Sequence, residues 1–459
     1  MRSIEVIGSG SDKVTESAHV VTFNNGQKIL IDAGIYQEGS GQNYDERNRH
    51  LNGHHKYDGV VLTHAHADHV LKLPFLEKIE DQDNTNTPIF ATPATYDLTE
   101  LNLRSSERLS PPGFYPKGSV DSVLKRITPD HRIDYDKPFK IGEITVTLNN
   151  AEHILGSSSP IMHENNGDTI VFSGDLGNDS PYRIIEPAKK TINQADVVVM
   201  ESTYGDKNHP NEDPVEILKE GIERAKIGKG AFLISGFAIE RIPQIVNLLR
   251  EYRQRLKLDG IPVYLDAKMA VLGLKIYKKY PHLLKEELRQ PKLDPFHFPE
   301  LIITYNADES DKIAKRSGAK IIIAGPGMMT GGRISKHALN YLPYPNSTIM
   351  LTGYTAAGSP SRALADGQKE VEFDGQPITV RGKVLKTSAF SSHADQRQLL
   401  DWLKNININP SGKRIRKVIL VHGAKEPRKV LAQKIVEDLK IVDVVLPENG
   451  EVIDLYNNM

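Results

Sequence analysis

The sequence predicts an α/β protein in which a second, doubly wound α/β domain interrupts the first. Short apolar runs that end in polar residues fill most of the first part of the chain, which is typical of strands and turns. Strands and helices alternate from about residue 205 onwards, and this alternation indicates a parallel sheet covered by helices. The earlier pattern returns from about residue 387. We therefore predict a first domain of residues 1–204 and 385–459 and an inserted domain of residues 205–384.

The first domain is expected to begin with a β-hairpin. Apolar runs at residues 20–23 and 28–34 flank Asn24-Asn25-Gly26, and an Asn-Gly pair between two such runs favours a hairpin. Further strands are predicted at residues 57–62, 144–148, 169–173 and 197–200. Polar residues stand at or shortly after the ends of these runs, namely Asp32, His153, Asp175 and Glu201. Successive strand ends can therefore deliver several functional groups to one rigid site.

The predicted elements of the inserted domain alternate in type. Helices are expected at Pro214 to Lys226, Arg241 to Leu256 and Met269 to Tyr280, and strands at 231–234, 261–265, 320–324 and 348–352. In the tail, a strand at 418–421 leads to His422, a helix runs from Glu426 to Leu439, and two short strands flank Asn449-Gly450. This tail has the texture of the first part of the chain and is assigned to the first domain.

Composition excludes several kinds of site. The chain has 459 residues with 58 basic and 59 acidic side chains, so its formal charge of −1 provides no overall cationic field for nucleic acid. Cysteine is absent, which excludes disulfides and thiolate metal ligands. No window approaches the roughly 20 apolar residues of a membrane span, and the first residues contain no signal-peptide core. We expect a soluble, cytoplasmic protein that makes no membrane contact.

The most informative motif is Thr63-His64-Ala65-His66-Ala67-Asp68-His69, directly behind the predicted strand 57–62. Side chains alternate along an extended backbone, so His64 and His66 point the same way and can hold one ion. Asp68 and His69 follow where the chain turns and can face a second ion. Imidazole nitrogens with carboxylate oxygens are the ligands typical of hydrolytic zinc. The motif therefore predicts a metal-dependent hydrolase.

Two ions held as in dinuclear hydrolases require about six to seven ligands. We assign His64, His66 and His153 to the first ion, and Asp68, His69 and His422 to the second. Asp175 is the expected bridge, because a carboxylate can share its two oxygens. Asp32 is expected to orient a ligand imidazole from outside. The predicted metal is a pair of Zn²⁺ ions, with Mn²⁺ or Fe²⁺ left open.

These motifs together resemble the metallo-β-lactamase superfamily, and more narrowly its β-CASP branch. The resemblance rests on the histidine-rich motif, Asp32-Ala33-Gly34, His153, Ser173-Gly174-Asp175-Leu176-Gly177, Glu201-Ser202-Thr203-Tyr204-Gly205, Ser391-Ser392-His393-Ala394-Asp395 and Val421-His422-Gly423. It covers nearly the whole chain, with the motifs in the order of the family. It implies an αββα sandwich carrying an inserted β-CASP cap domain, and a nuclease that processes nucleic acid.

The resemblance also implies roles for single residues. Glu201 matches an acid that supports a catalytic histidine, and His393 matches that histidine, which could act as general acid. Asp68 and Asp175 count as catalytic groups as well as ligands. His422 matches a last, metal-binding histidine that favours RNA over DNA as substrate. We expect hydrolysis of single-stranded RNA to 5′-phosphate and 3′-hydroxyl ends, with a homodimer and RNA-processing partner proteins as further expectations.

Glycine-rich segments in the inserted domain are expected to grip phosphate. Glycines 331 and 332 permit close approach of backbone N–H groups, and Arg333 can add a bidentate contact. The family carries comparable Gly-Arg segments, but this chain has Ser361-Arg362, which puts close backbone approach there in doubt. Arg241 belongs to a similar segment beside an unusual acid, Glu240. The predicted substrate contacts are Arg241, Gly331, Gly332, Arg333, Arg362, Ser391 and Ser392.

Three other functions compete with this interpretation. A small-molecule metallohydrolase of the same superfamily is the first, but it has no need of a second large domain. A DNA nuclease of the same branch is weakened by His422. An inactive RNA-binding scaffold is disfavoured because all seven predicted ligands are present. The sequence leaves open whether cleavage is internal or proceeds from the 5′ end.

Overall fold

A computed structural model describes residues 1–10, 14–37, 47–48, 56–78, 86–165, 167–353, 355–356, 358–407 and 414–455. The chain divides into two compact units. The first unit consists of Met1–Asp179, Ile185–Asn208 and His393–Met459, and the second of Ser180–Ile184 and His209–Ser392. The units thus change over after residues 208 and 392, whereas the domain limits predicted from the sequence fall after residues 204 and 384. Those limits stay a prediction.

The first sheet of the first unit has six strands. In chain order they are β1 (Ser3–Gly8), β2 (Ala18–Thr22), β3 (Lys28–Ile31), β4 (Gly59–Val61), β5 (Ile89–Phe90) and β21 (Glu451–Asp454), arranged as β21-β1-β2-β3-β4-β5. The predicted hairpin is present, because β2 and β3 pair antiparallel with Thr22 opposite Lys28. Strands β3, β4 and β5 run parallel, so their carboxyl ends lie at one edge of the sheet.

The second sheet of the first unit has seven strands. They are β6 (Phe139–Ile141), β7 (Ile144–Asn150), β8 (Ser158–His163), β9 (Thr169–Phe172), β10 (Val197–Glu201), β19 (Lys417–Val421) and β20 (Val444–Val445), arranged as β20-β19-β10-β9-β8-β7-β6. Strands β9, β10 and β19 are parallel neighbours. Asp175, Glu201 and His422 stand at or just beyond their carboxyl ends, so this edge carries three of the predicted site residues.

The helices in chain order are α1 (Ala67–Val70), α2 (Pro93–Leu109), α3 (Ser119–Arg126), α4 (Pro214–Gly228), α5 (Arg241–Glu251), α6 (Lys268–Lys279), α7 (Ala307–Lys315), α8 (Gly332–Tyr341), α9 (Pro360–Ala365), α10 (Gln396–Asn407) and α11 (Lys425–Lys434). Short 3₁₀ segments occur at Leu73–Lys78, Pro129–His131, Pro281–Leu283 and Glu286–Leu288, and a π-helical turn, Ile435–Leu439, follows α11. No helix of the described ranges is both long and apolar enough to cross a bilayer.

The first unit is an αββα sandwich, which confirms the predicted fold. Along β10, Val197 and Val199 belong to a core formed by both sheets, whereas Val198 and Met200 belong to a core on the outer face of the second sheet. This alternation is what a strand buried on both faces requires. Residues of α2 and α3 pack in the core on the outer face of the first sheet, and residues of α10 and α11 pack with Val198 and Met200.

The second unit is built around a six-stranded parallel sheet. Its strands are β11 (Ala231–Ser235), β12 (Val263–Leu265), β13 (Leu301–Ile303), β14 (Lys320–Ala324), β15 (Thr348–Leu351) and β18 (Lys383–Lys386), arranged as β13-β12-β14-β11-β15-β18. All five neighbouring pairs are parallel. Strands β16 (Glu370–Phe373) and β17 (Gln376–Thr379) form a separate hairpin. The predicted α/β character of the insertion is therefore correct.

Several predicted elements differ from the structure in their limits. The helix expected to reach Leu256 ends at Glu251, and the helix expected to reach Leu439 is α-helical only to Lys434. The two short strands predicted around Asn449-Gly450 are present as β20 and β21. They belong to different sheets, since β20 pairs with β19 in the second sheet and β21 pairs with β1 in the first. Pairing between distant strands is set by tertiary packing, which a local turn signal does not report.

Candidate metal centre

The structure brings His64, His66, His153 and Asp175 into one cluster. His66 Nδ1 lies 3.1 Å from His64 Nε2 and 3.2 Å from His153 Nε2. Asp175 Oδ2 lies 3.4 Å from His64 Nε2 and 3.5 Å from His153 Nε2. Four ligand atoms around a tetrahedral zinc ion, each at about 2.0–2.1 Å, lie about 3.4 Å from one another. These four separations match a tetrahedral site, and all four ligand atoms lie within 4.8 Å of one another.

The imidazoles of this first cluster are held in the form that binds metal. Burial lowers the pKa of His64, and it lowers the pKa values of His66 and His153 well below the usual histidine value. A neutral ring keeps one nitrogen lone pair for coordination, whereas a protonated ring has none. The rings therefore converge as lone-pair donors and not as cations.

Asp68, His69 and His422 form a second cluster on the other side of Asp175. Asp68 Oδ2 lies 3.4 Å from His422 Nε2, and Asp175 Oδ1 lies 3.4 Å from His69 Nε2 and 3.6 Å from His422 Nε2. Within the described residues, His69 Nε2 and Asp175 Oδ1 are buried without a hydrogen-bond partner. A buried polar atom without a partner is costly, and a cation between these ligands would satisfy both.

Asp175 faces both clusters, with Oδ2 toward the first and Oδ1 toward the second. The negative charge of the carboxylates raises the pKa values of the neighbouring histidines. Burial alone would lower the pKa of His422, but Asp175 and Asp68 raise it to about 9. Burial also opposes protonation of His69, yet Asp175 and Asp32 raise its pKa well above the usual value. The carboxylates therefore favour positive charge at this position, which is the charge that a divalent cation would supply.

Asp32 and Thr63 support the ligands from outside the two clusters. Asp32 Oδ2 lies 2.8 Å from His69 Nδ1, and Asp32 also accepts from the backbone N–H and the hydroxyl of Thr63 at 2.8 and 2.7 Å. Thr63 Oγ1 in turn lies 3.1 Å from His64 Nδ1. Hydrogen bonds to the far nitrogen fix the ring orientation and the tautomer of a metal-binding histidine. Thr63 stands inside the predicted motif, but its role was not foreseen.

The loop that carries His153 is fixed by hydroxyl groups. Ser157 Oγ accepts from the backbone N–H of His153 at 2.9 Å. Gly156 has φ 84°, and its carbonyl accepts the hydroxyls of Thr92 and Thr95, each at 2.8 Å. These contacts explain why a loop histidine can be held as rigidly as one at a strand end. Neither threonine could be recognised from the sequence, because each lies about sixty residues away in the chain.

Two residues of the site, and the residue before His153, have left-handed backbone conformations that are unfavourable for side chains other than glycine. The φ angles are 60° at Asp32, 61° at Glu152 and 50° at His422. Such conformations cost of order 1–3 kcal/mol each and persist only where the surroundings determine them. The fold therefore accepts strain in order to aim the ligands.

His393 and Glu201 form a pair beside the first cluster. His393 Nδ1 lies 3.1 Å from each oxygen of Glu201, whose side chain is 1% exposed. Glu201 Oε1 also accepts from the backbone N–H of Leu176 at 2.6 Å, next to the shared Asp175. His393 Nε2 lies 4.0 Å from Asp175 Oδ2. The ring therefore presents Nε2 toward the cluster while Glu201 holds Nδ1.

The predicted substrate contacts lie in the second unit. Arg241 donates from Nε to the carbonyl of Phe390 at 3.2 Å, and its guanidinium lies 4.9 Å from the centre of the Phe237 ring. Gly331 and Gly332 have φ angles of 77° and 74° at the beginning of α8, which only glycine adopts readily. Ser391 and Ser392 are both buried.

Two of the predicted arginines already have acidic partners. The Arg333 guanidinium pairs with the fully buried Asp266 and donates to Thr304 Oγ1 at 3.1 Å. Arg362 Nε donates to Asp366 at 3.0 Å on the exposed side of α9. The sequence did not indicate the Asp266 partner, which follows a different strand. The structure thus gives Arg333 a supporting role within the unit in addition to any contact with phosphate.

Comparison with known proteins agrees with this geometry. Residues 27–226 match the "Beta-lactamase superfamily domain", residues 244–364 the "Beta-Casp domain", and residues 377–447 the "Zn-dependent metallo-hydrolase RNA specificity domain". The chain is 31% identical to "Ribonuclease TTHA0252" of Thermus thermophilus, across 96% of this chain and 97% of that protein. It is also 31% identical to "RNase aCSPSF2" of Saccharolobus solfataricus, across 98% and 85% of the two chains.

Other relatives are longer or more distant. The chain is 31% identical to "Transcription termination factor FttA" of Pyrococcus abyssi across 82% of its own length, but it spans only 58% of that protein. A solved structure of a protein of unknown function from Enterococcus faecalis V583 aligns with 99% of this chain at a TM-score of 0.56 and 15% identity. That likeness concerns the fold alone.

Proposed function

The chain belongs to the β-CASP branch of the metallo-β-lactamase superfamily, and from that premise we propose that it is a two-metal ribonuclease. It would hydrolyse RNA phosphodiester bonds to give 5′-phosphate and 3′-hydroxyl ends in RNA processing or decay. The observation that carries this proposal is the pair of ligand clusters that share Asp175. The names of the relatives, two of which are ribonucleases, support RNA as the substrate.

His64, His66 and His153 would hold one divalent cation, Asp68, His69 and His422 the other, with Asp175 between them. Such a pair, when bound, activates a shared water near neutral pH and neutralises the phosphate under attack. The mixture of nitrogen and oxygen ligands and the tetrahedral spacing of the first cluster favour zinc, with Mn²⁺ or Fe²⁺ as alternatives. The description of the matched C-terminal domain as zinc-dependent supports the same choice.

The protein's own residues then protonate the leaving group. A departing 3′ alkoxide needs a proton, and we assign its delivery to His393 Nε2. Both oxygens of Glu201 lie 3.1 Å from His393 Nδ1, so this carboxylate fixes the orientation of the ring with Nε2 toward the first cluster. Asp68 and Asp175 bind the cations and so position the nucleophile.

The second unit is proposed to bind the RNA backbone. Gly331 and Gly332 lie at the amino end of α8, where backbone N–H groups have no partner within the helix. The amino end of a helix favours anions. The proposed contacts remain Arg241, Gly331, Gly332, Arg333, Arg362, Ser391 and Ser392. The same proposal treats the second unit as the β-CASP domain and the first as the catalytic domain. A cytoplasmic location, a homodimer and RNA-processing partner proteins stay predictions.

One experiment separates this function from its competitors. Purified protein would be incubated with labelled single-stranded RNA, single-stranded DNA and a lactone, with and without a metal chelator. We expect cleavage of RNA that the chelator abolishes and zinc restores. Cleavage of DNA alone, or of the lactone alone, would replace the proposal with the corresponding alternative. Binding of RNA without any cleavage would favour the inactive RNA-binding scaffold. Mapping the 5′ ends of the products would distinguish internal cleavage from 5′ exonuclease action.

A further inference from the structure

Thr203 follows Glu201 by two residues, and its hydroxyl contacts His422 of the second cluster. The proposed function assigns it no role. Its hydroxyl oxygen lies 3.1 Å from His422 Nδ1 and 3.2 Å from the backbone carbonyl oxygen of the same histidine. This carbonyl also accepts from the backbone N–H of Ser202 at 3.3 Å, and its second lone pair accepts the hydroxyl proton of Thr203. The hydroxyl oxygen is then left to accept a hydrogen bond from the N–H at His422 Nδ1.

This arrangement decides which nitrogen of His422 binds metal. With its proton held at Nδ1, the neutral ring has its lone pair at Nε2, which faces Asp68 and Asp175. We propose that Thr203 is a positioning residue that fixes the tautomer of His422 and thereby completes the second metal position. The inference rests on the proposed function, since it assumes that two cations are bound.

The carbonyl that orients the hydroxyl cannot turn away. The backbone N–H of His422 donates to Ser9 O at 2.9 Å, and the Ser202 hydroxyl donates to Val421 O at 2.7 Å. The two segments approach so closely that a Cβ at Gly423 would lie 2.4 Å from Ser202 Oγ. His422 is therefore held with its carbonyl beside Thr203, and the direction of the hydroxyl proton follows from the fold.

A second threonine acts on the first cluster in the same way. Thr63 Oγ1 donates to Asp32 Oδ2 at 2.7 Å, because an ionised carboxylate can only accept. Its oxygen is then available to accept from His64 Nδ1 at 3.1 Å, which leaves the His64 lone pair at Nε2. Each cluster thus has one threonine hydroxyl whose proton is committed to an obligatory acceptor. This repetition of the same chemistry argues against an accidental contact at Thr203.

The general acid is held by groups other than the Thr203 hydroxyl. Glu201, two residues earlier, contacts His393 and the backbone of Leu176, whereas Thr203 Oγ1 contacts His422. The backbone N–H of Thr203 does donate to Glu201 Oε2 at 3.4 Å, but every substitution at this position except proline retains that contact. Loss of the Thr203 hydroxyl should therefore weaken the second metal position without disturbing the pair formed by His393 and Glu201.

The test is a competition titration of metal-free protein with Zn²⁺ against a chromophoric chelator. Wild type, Thr203→Val, Thr203→Ser and Thr63→Val would be compared, with thermal unfolding of each metal-free protein as a measure of folding. We expect Thr203→Val to weaken one of two binding events by about 10–100-fold, as loss of an outer hydrogen bond typically does. Thr63→Val should weaken the event at the first cluster, and a smaller effect on the second is expected because Thr63 Oγ1 also lies 3.4 Å from His69 Nδ1. Thr203→Ser keeps the hydroxyl and should bind as wild type does.

Each remaining outcome is informative. Wild-type affinity in Thr203→Val would overturn the inference, and so would a Thr203→Ser variant as weak as Thr203→Val. If Thr63→Val leaves one event unchanged and weakens only the event that Thr203→Val weakens, the action of Thr63 on the first cluster is refuted. If Thr203→Val does not fold, Thr203→Ala takes its place. Comparison with Thr203→Ser then still shows whether the hydroxyl group is required for zinc binding. A wild-type protein that binds no zinc would overturn the proposed metal centre itself, which is a different failure.

Discussion

Replacing His393 with alanine should slow RNA cleavage while both metal positions remain filled. General acids contribute about 10²–10⁴-fold to a rate, which corresponds to about 3–5 kcal/mol of the activation barrier. The upper half of that range is expected here, because His393 is only 17% exposed and both oxygens of a buried Glu201 hold its ring at 3.1 Å. Solvent is therefore a poor substitute for this proton donor.

The assay compares two substrates that differ in their leaving group. Release of a ribose 3′ oxygen requires a proton, whereas release of 4-nitrophenolate from bis(4-nitrophenyl) phosphate does not. His393→Ala should therefore lose RNA cleavage but retain most of its activity on the activated ester, with unchanged zinc content. His163→Ala is the matched control, because His163 is exposed at the end of β8, where it pairs with Thr169. Equal losses on both substrates would refute the role as general acid, and loss of zinc would make His393 a ligand.

Three further predictions concern metal, pH and the second unit. Zinc at about one hundred times its dissociation constant should raise the free energy of unfolding by about 2.7 kcal/mol for each ion bound, measured by denaturant titration with and without chelator, and no difference would contradict a native metal site. Burial raises the pKa of Glu240 from 4.5 to about 7, so the folded protein retains a proton that the unfolded chain releases between these values. The free energy of unfolding should therefore fall by about 3 kcal/mol as pH rises from 4.5 to 7. Glu240→Gln should abolish this pH dependence in urea titrations. An unchanged pH dependence in the variant would show that other groups cause it. Arg333→Ala removes one of several partners of the buried Asp266, which keeps His337 at 2.7 Å and Ser310 at 2.5 Å, and should destabilise the protein by about 1–3 kcal/mol, while also reducing the salt dependence of RNA binding at unchanged zinc content. If this variant is as stable as wild type and binds RNA with the same affinity, Arg333 neither stabilises the second unit nor contacts RNA.

The candidate ligands could be predicted because their signals are local. Four of them fall within six residues after a strand, and Asp175 and His422 stand just beyond apolar runs that were easily recognised. Parallel strands bring their carboxyl ends to one edge, so residues distant in sequence such as these two converge once the strands pair. The division into two α/β units followed from the same strand and helix signals.

The supporting contacts could not be predicted, because they depend on tertiary packing. Thr92 and Thr95 reach the His153 loop only after α2 packs on the sandwich, and nothing in their local sequence distinguishes them from ordinary helix-capping residues. The neighbouring glycines predict a phosphate contact for Arg333. Its partner Asp266 follows β12, about seventy residues earlier in the chain, so no local signal indicates the ion pair. Helices α2 and α3 were likewise hidden within a region dominated by strand signals.

Anomalous diffraction at the zinc absorption edge, from crystals grown with zinc, tests the two-metal centre most directly. We expect two peaks about 3.5–4 Å apart, the first bounded by His64, His66 and His153, the second by Asp68, His69 and His422, with one oxygen of Asp175 on each. A single peak, or two peaks of which one lies away from Asp175, would contradict the account.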